Sequence, residues 1–231
     1  MDLFKRALFS AHHHRVHVPR VERVARALAA QIGSARSLLD VGCGDGTVAR
    51  DIAARVGAER VAGVDIKVRP SVAIEVAAYD GVHIPFPDDA FEAVVISDVL
   101  HHAQEPGAVL REALRVASKV VAIKDHFRFG WLSEKILLAM DLVGNAGPGV
   151  AVRGTYFNAR EWAELVQGAG GRFTGLQWPL RIHDIPFRWI TRDEVQFAAR
   201  IERARHDGGA ETPPNPPHDG AGPRAVLLGS T

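Results

Sequence analysis

Three glycines at alternate positions, Gly42, Gly44 and Gly46, follow directly after a short apolar run at residues 37–41. Glycine tolerates positive φ and lets the backbone approach a ligand closely, so a glycine turn between a strand and a helix favours a cofactor-binding loop. A dinucleotide fingerprint needs its last glycine at position 47, where a helix receives the pyrophosphate. Thr47 stands there, which disfavours NAD and related cofactors.

Two acidic residues stand where a nucleoside could be bound. Asp65 ends the apolar run at residues 60–64, and Asp80 with Gly81 precedes residues 84–92. A carboxylate at the tip of a strand can accept hydrogen bonds from both ribose hydroxyls. Dinucleotides would use Asp65 as well, so it does not discriminate between cofactors, and an Asp-Gly pair is by itself also a favourable turn.

Histidines follow two further apolar runs. His101 and His102 come shortly after the run that ends at Ser97, and His126 follows Lys124 and Asp125. Imidazole titrates near neutral pH, so any of the three could move a proton. A purely structural role for one of the pair, or for His126, is equally compatible with the pattern. A histidine pair is also half of a metal site, but no third ligand stands at a suitable spacing, and no metal is predicted.

The elements that must position these residues follow from apolar periodicity. Continuous apolar runs at residues 37–41, 60–65, 93–97 and 120–123 alternate with segments expected to be helical, which predicts a parallel sheet covered on both faces. A helix from residue 21 is expected to stop at Gly33, another spans residues 106–117, and Asn158 is the expected N-cap of a third. Residues 173–178 and 195–201 are the expected closing strands.

One domain is expected, with additions at both ends. We predict an N-terminal helical cap over residues 1–33 and a main domain over residues 34–204, into which a helix and loop at residues 127–157 insert above the sheet. Residues 205–231 are rich in proline and glycine and are predicted to be disordered.

Composition narrows the class of partner and compartment. The 28 Lys and Arg residues nearly balance the 27 Asp and Glu residues, so nucleic acid is not a favoured partner. A single cysteine, Cys43, excludes an internal disulfide, fits a reducing cytoplasm, and lies in the glycine turn as a small residue rather than as a nucleophile. No apolar run suffices for stable membrane insertion, and the short N-terminal one does not predict secretion. A cytoplasmic monomer or homodimer is expected.

Two stretches resemble one known family. Residues 38–46 are similar to the first motif of class I S-adenosylmethionine (SAM)-dependent methyltransferases, and residues 84–92 are similar to the stretch that leads into the fourth strand of that family. The resemblance implies an α/β fold: a single Rossmann-like domain whose seven-stranded sheet is mostly parallel, with the last strand antiparallel and helices on both faces. It also implies SAM as the cofactor.

The same resemblance assigns site residues. It places Asp65 on the ribose, Asp80 on the adenine amino group, and His101 and His102 beside the methyl group. The segment at residues 123–126, together with residues 140–146 and Tyr156, is similar to segments found in a subgroup of bacterial methyltransferases. The implied cofactor-binding residues are Asp40, Gly42, Gly44, Gly46, Asp65, Ile66, Asp80, Gly81, Ser97 and Asp98, and the candidate catalytic residues are His101, His102 and His126.

The expected reaction is methyl transfer to a small apolar or aromatic metabolite. Such a transfer is an in-line displacement at an activated sulfonium, so the protein mainly aligns donor and acceptor and excludes water. Residues 1–32 and 127–157 are the expected lid. Three alternatives remain open: an RNA or protein methyltransferase, which the near-neutral charge disfavours; a non-catalytic SAM-binding protein; and an NAD-dependent oxidoreductase, which Thr47 disfavours.

Overall fold

A computed structural model describes residues 18–145, 154–182 and 192–204. In chain order the elements are α1 (Val18–Ile32), β1 (Ser37–Val41), α2 (Thr47–Val56), β2 (Arg60–Asp65), β3 (Glu75–Ala78), β4 (Phe91–Ser97), α3 (Pro106–Val116), β5 (Ala117–His126), α4 (Trp131–Asn145), α5 (Ala159–Gly168), β6 (Gly171–Gln177), a 3-10 turn (Asp193–Val195) and β7 (Gln196–Arg203). None of the helices in these ranges is long and apolar enough to cross a membrane.

The seven strands form one sheet in the order β3-β2-β1-β4-β5-β7-β6. Strands β1 to β5 pair in parallel, and β7 runs antiparallel to both of its neighbours. This confirms the predicted mostly parallel sheet with an antiparallel last strand. The strand order reverses between β1 and β4, and ligands of such sheets bind outside the carboxyl ends of the strands at that reversal. The glycine turn follows β1, and the segment with the histidine pair follows β4.

Alternating side chains of the strands supply two cores. Leu38 packs on one face with α1 and α2, whereas Leu39 packs on the other face with α3 and α5. The helical spacing in α1 is confirmed, since its apolar stripe is buried and the helix ends before Gly33. Asn158 caps α5 as predicted: its side chain accepts a hydrogen bond from the backbone of Glu161, whose carboxylate bonds back to Asn158. Helices therefore cover both faces of the sheet below the carboxyl ends of its parallel strands.

Two predictions about the strands were wrong. The segment between β2 and β4 was expected to be helical, but residues 66–90 contain no helix and instead include the short edge strand β3. Pro70, Pro85 and Pro87 interrupt any helix there, because proline lacks the backbone donor. The fifth strand is also longer than its apolar run: it continues through Lys124, Asp125 and His126, which are buried.

Several predicted segments lie outside the described residues. They are residues 1–17 of the expected cap, residues 146–153 and 183–191, and the tail at residues 205–231. Of the expected cap, α1 packs on the sheet through Val24, Ala25 and Leu28. Of the expected insertion, α4 is helical, with Leu137 buried and Trp131 exposed. The proposed domain limits and the lid stay predictions.

Candidate active site

The glycine turn is tight and held by the neighbouring strand ends. Gly42, Gly44 and Gly46 have φ of 72°, 59° and 75°, a region that side chains rarely adopt. The backbone N–H of Gly42 donates to the carbonyl of Val64 at 2.7 Å. A Cβ added at Gly42 would lie 2.4 Å from Cγ2 of Val99, so the turn after β1 touches the segment after β4. The glycine turn and the histidine segment are therefore neighbours.

Acidic residues surround this turn. The two carboxylate oxygens of Asp65 accept hydrogen bonds from the backbone N–H of Gly44 at 2.8 Å and of Lys67 at 2.9 Å. Asp40 is buried at the end of β1, and its burial, with the charges of Asp65 and Asp45, raises its pKa to about 8. The turn is thus bordered by the carboxylates of Asp65 and Asp45, the second of which pairs with Arg69 at 3.7 Å.

Burial also sets the state of Cys43, which lies inside the turn. Desolvation and the charge of Asp40 raise the pKa of its thiol to about 12, so it stays protonated near neutral pH. This agrees with the expectation that Cys43 is a small packing residue rather than a nucleophile.

The tips of β2 and β3 present an apolar side chain beside a carboxylate. Ile66 is 64% exposed, and a Cβ added at Gly81 would lie 3.3 Å from its Cγ2. Asp80 is exposed and accepts hydrogen bonds from the backbone of Val82 and His83, with the His83 ring on its second oxygen. Ile66, Asp80 and Gly81 are therefore close together, as expected.

Asp98 anchors the end of β4 next to Ser97. It adopts a positive φ of 57°, and its backbone N–H donates to the carbonyl of Lys124 at 2.9 Å. Its carboxylate bonds Lys124, which is fully buried, and also Arg20 of α1 at 3.0 Å. Burial disfavours the charge, but Lys124, His126 and Arg20 together hold the pKa of Asp98 well below its ordinary value.

His101 lies at the centre of a buried polar cluster. Its Nδ1 is 2.6 Å from Oδ1 of Asp125, and its Nε2 is 3.4 Å from Oδ2 of Asp141 on α4. The hydroxyl of Tyr156 donates to the same oxygen of Asp141. Burial opposes a charge on His101, but the carboxylates, with Asp125 first, outweigh it and raise its pKa to about 10.

The other two histidines flank His101, but their pKa values are shifted in the opposite direction. The ring centroid of His102 lies 4.0 Å from that of His101, and the centroid of His126 lies 5.1 Å from it. Burial lowers the pKa of both, helped by the charge of His101 on His102 and of Lys124 on His126. His126 is buried, whereas His102 is half-buried. The structure therefore brings the three predicted histidines together.

Five members of the cluster were not among the predicted site residues: Arg20, Lys124, Asp125, Asp141 and Tyr156. All but Arg20 lie in the segments whose similarity to a methyltransferase subgroup was noted from the sequence. Asp141 had a usable signal, because it is the one charged residue in the apolar stretch at residues 136–143 of α4. Lys124 and Asp125 had a weaker one, as charged residues directly after an apolar strand. Arg20 carried none, since nothing local distinguishes it from the other arginines of α1.

Comparisons with known proteins agree with this architecture. A family model for a methyltransferase domain matches residues 39–120. No curated protein sequence matches the chain.

Solved structures resemble the chain in fold. A methyltransferase candidate in complex with the Trm112 methyltransferase activator of Haloferax volcanii is 15% identical, with a TM-score of 0.64 over 87% of this chain and 96% of that one. A possible histamine N-methyltransferase from Thermotoga maritima is 14% identical, with a TM-score of 0.56 over 87% and 97%. The [4+2]-cyclase SpnF is 18% identical, with a TM-score of 0.58 over 79% and 80%. At such identities the likeness concerns the fold.

Proposed function

We propose that the chain is a class I SAM-dependent methyltransferase, since a model for a methyltransferase domain matches residues 39–120, and that it transfers the methyl group of SAM to a small, apolar or aromatic molecule. The observation that carries this proposal is the contact between the glycine turn and the segment with the histidine pair, through Gly42 and Val99. A donor held by the turn and an acceptor beside the histidines would then be adjacent.

The charges around the turn fit SAM. Asp45 and Asp65 place negative charge beside Asp40, and SAM carries positive charge on its sulfonium and its ammonium group beside the negative charge of its carboxylate. The pyrophosphate of a dinucleotide would meet the same carboxylates as an anion. Any cation bound here would also favour the ionised form of Asp40. The charge match supports SAM over NAD.

The remaining donor contacts follow the family resemblance. Each oxygen of Asp65 accepts one backbone hydrogen bond and keeps a lone pair for a ribose hydroxyl. Ile66 offers an exposed apolar surface beside Asp80 and Gly81, which suits an adenine ring and its amino group. We assign the methionine part of SAM to Asp40, Gly42, Gly44 and Gly46, the adenosine to Asp65, Ile66, Asp80 and Gly81, and the border of the methyl group to Ser97 and Asp98.

The proposed acceptor site lies at the ends of β4 and β5. His102 is the half-buried member of the cluster, so it is the histidine that an acceptor can reach, while His101 and His126 lie behind it. Helix α4 leaves large apolar side chains exposed above this end of the sheet, which supports an apolar or aromatic acceptor. They are Trp131, Leu132, Leu138 and Leu142.

The residues of the site would act mainly by alignment. SAM, when bound, supplies a methyl group that is already activated for displacement. Lys124 and Arg20 fix Asp98 at the junction of donor and acceptor sites. Asp125 and Asp141 fix the ring of His101 from two sides. Such rigid positioning, with α4 excluding water, is the contribution that an in-line transfer needs.

Calorimetric titration with SAM tests the donor site. Wild type should bind SAM and its demethylated product, and Asp65→Ala should weaken binding by about 2 kcal/mol, roughly 30-fold, because charged hydrogen bonds are lost. Glu164→Ala, on the exposed surface of α5, serves as the matched control and should bind like wild type. If the wild-type protein binds neither SAM nor its demethylated product, the assignment of the donor site is refuted.

The acceptor class can be tested without knowing the acceptor. The enzyme is incubated with a cell extract and SAM that carries a labelled methyl group, and the extract is then separated into small molecules, RNA and protein. Label in a small molecule other than SAM itself, absent when the enzyme is left out, supports the proposal. Label confined to RNA or protein, or no transfer at all despite SAM binding, contradicts it in favour of the respective alternative.

A further inference from the structure

Two histidines and a carboxylate from separate elements form a group with the composition of a metal site. His101 and His102 follow β4, Asp141 lies on α4, and one ligand atom of each lies within 4.8 Å of the others. We propose that Nε2 of His101, Nδ1 of His102 and a carboxylate oxygen of Asp141 bind a divalent first-row transition-metal ion. No third ligand was predicted from spacing, because Asp141 stands about forty residues from the histidine pair.

The ligand nitrogens lack other partners. Nε2 of His101 and Nδ1 of His102 are both buried without a hydrogen-bond partner, and the side chain of His101 is only 1% exposed. Nearly all buried polar atoms in proteins are hydrogen-bonded, so two such nitrogens on adjacent residues require an explanation. A bound cation satisfies both.

The surroundings have the form of an outer shell that orients ligands. Asp125 lies 2.6 Å from Nδ1 of His101, which fixes a proton on that nitrogen, so an ion would bind at Nε2 by displacing the second proton that the raised pKa of His101 otherwise keeps there. Asp125 is itself held by the backbone N–H of His126 at 2.8 Å. On the other side, Tyr156 donates to Asp141. Ligand orientation by a carboxylate and by a further hydrogen bond is common at metal sites.

The two distances from His101 to its carboxylate neighbours differ: one fits a hydrogen bond, and the other fits two ligands of a metal ion. A charge-assisted hydrogen bond between imidazolium and carboxylate is about 2.7–2.9 Å long, as the contact of His101 with Asp125 nearly is. The contact of Nε2 with Asp141 is longer, at 3.4 Å. Metal–ligand bonds of about 2.0–2.1 Å put two ligands of a tetrahedral ion about 3.3–3.4 Å apart. The longer contact therefore matches two ligands of one ion.

The charges also leave room for a cation. Three carboxylates face the cluster, and the two permanent cations, Lys124 and Arg20, both bond Asp98. The negative charges of Asp125 and Asp141 remain, and they face the proton that His101 holds near neutral pH; an ion bound at Nε2 would take the place of that proton. Two imidazoles and one carboxylate suit zinc, iron or cobalt, and three protein ligands leave positions open for an oxygen of a small molecule.

The test needs a parent protein without the N-terminal histidines, because they could bind metal by themselves. The parent is the full chain in which His12, His13, His14 and His17 are replaced by alanine. It is titrated with Zn²⁺ by calorimetry and with Co²⁺ by visible absorption. One ion per chain is expected, with a cobalt spectrum typical of nitrogen and oxygen ligands in a low-symmetry site.

Two variants of this parent locate the ion. His102→Ala and the isosteric Asp141→Asn should each weaken Zn²⁺ binding at least tenfold. His83→Ala, an exposed histidine paired with Asp80, is the matched control and should bind like the parent. Thermal unfolding checks that each variant is folded. Because Asp141→Asn keeps the shape of the side chain, it still tests the metal site if His102→Ala does not fold.

The outcomes are distinct from those of the methyl-transfer tests. A parent that binds no ion, or binding that persists in both folded variants, overturns the metal proposal. Loss of SAM binding or of methyl transfer has no bearing on it, since the ion is detected by its own heat and spectrum. The proposal concerns the acceptor side of the site and stands without the proposed reaction.

Discussion

Asp40 is the residue through which the proposed SAM site would affect the stability of the fold. It is 3% exposed at the end of β1 and faces two other carboxylates. A buried acid among like charges is costly to ionise, and the cost is relieved only when a cation binds nearby. Before SAM binds, Asp40 therefore costs the protein stability.

This cost makes a pH-dependent prediction. With a folded-state pKa raised from 3.8 to about 8, the folded protein holds the proton of Asp40 more tightly than the unfolded chain. Its stabilising contribution is complete below pH 4 and is lost as the pH rises to about 8. Asp40→Asn should remove this loss, so the variant gains stability over wild type, by at most about 5 kcal/mol at pH 8. Urea unfolding without SAM from pH 5 to 8 measures the gain; parallel curves would contradict it.

Alanine substitutions at Gly46 and Gly57 distinguish the effect of backbone strain from the effect of steric crowding. Both have a positive φ, but a Cβ at Gly46 would lie 2.4 Å from Cγ1 of Ile74, whereas nothing lies within 4 Å of one at Gly57. Gly57→Ala should cost about 1 kcal/mol through its φ alone and leave SAM binding intact. Gly46→Ala should cost more and lose SAM affinity at least tenfold. Equal effects of the two changes in unfolding and titration experiments would show that crowding at the turn is unimportant.

At the scale of elements, α4 differs from the other helices. Helices α1, α2, α3 and α5 each bury an apolar stripe against the sheet. Helix α4 buries Leu137 and leaves several large apolar side chains exposed. It meets the cluster through Asp141, which joins it to His101 and Tyr156. A helix held by few contacts is suited to form one wall of a variable acceptor site.

Adjacent leucines of α4 test this role. Leu137 is 1% exposed and Leu138 is 39% exposed. Leu137→Ala should destabilise the protein by about 2–4 kcal/mol through the cavity it leaves. Leu138→Ala should change stability by less than about 0.5 kcal/mol but raise KM for the acceptor several-fold, with SAM affinity unchanged. Thermal unfolding and steady-state kinetics measure both, and an unchanged KM would argue against α4 as an acceptor wall.

At the scale of the molecule, the sheet brings distant segments to one edge. The turn after β1, the tips of β2 and β3, and the ends of β4 and β5 all point the same way because these strands are parallel. A cofactor bound across them would tie β1, β2, β3 and β4 together. Binding should therefore stabilise the whole fold rather than one loop.

Ligand-dependent stability tests this at the same scale. A ligand present at 100 times its Kd stabilises the folded state by about 2.7 kcal/mol. SAM or its demethylated product should raise the midpoint of unfolding accordingly, whereas NADH at the same concentration should not. Calorimetric melting distinguishes the two. If NADH stabilises the protein and SAM does not, the result favours the alternative of an NAD-dependent oxidoreductase.

The sequence by itself determined those elements of the fold whose patterns depend only on nearby residues. The glycine turn, the apolar runs of β1, β2 and β4, the stripe of α1 and the cap at Asn158 depend on neighbours within a few residues, so they were readable directly. The edge strand β3 was not, because four residues with two alanines carry too weak a pattern. The continuation of β5 through Lys124, Asp125 and His126 was also hidden, since burial of charges depends on partners elsewhere.

Only the tertiary structure decided which other side chains meet the predicted histidines. Arg20, Lys124, Asp141 and Tyr156 come from four segments spread over more than half of the chain, and no spacing rule relates them. Their meeting is fixed by the parallel sheet and by α4, and their protonation by mutual distance and burial. The sequence thus determined the glycine turn, which is a local motif, while the histidine cluster is defined by long-range packing.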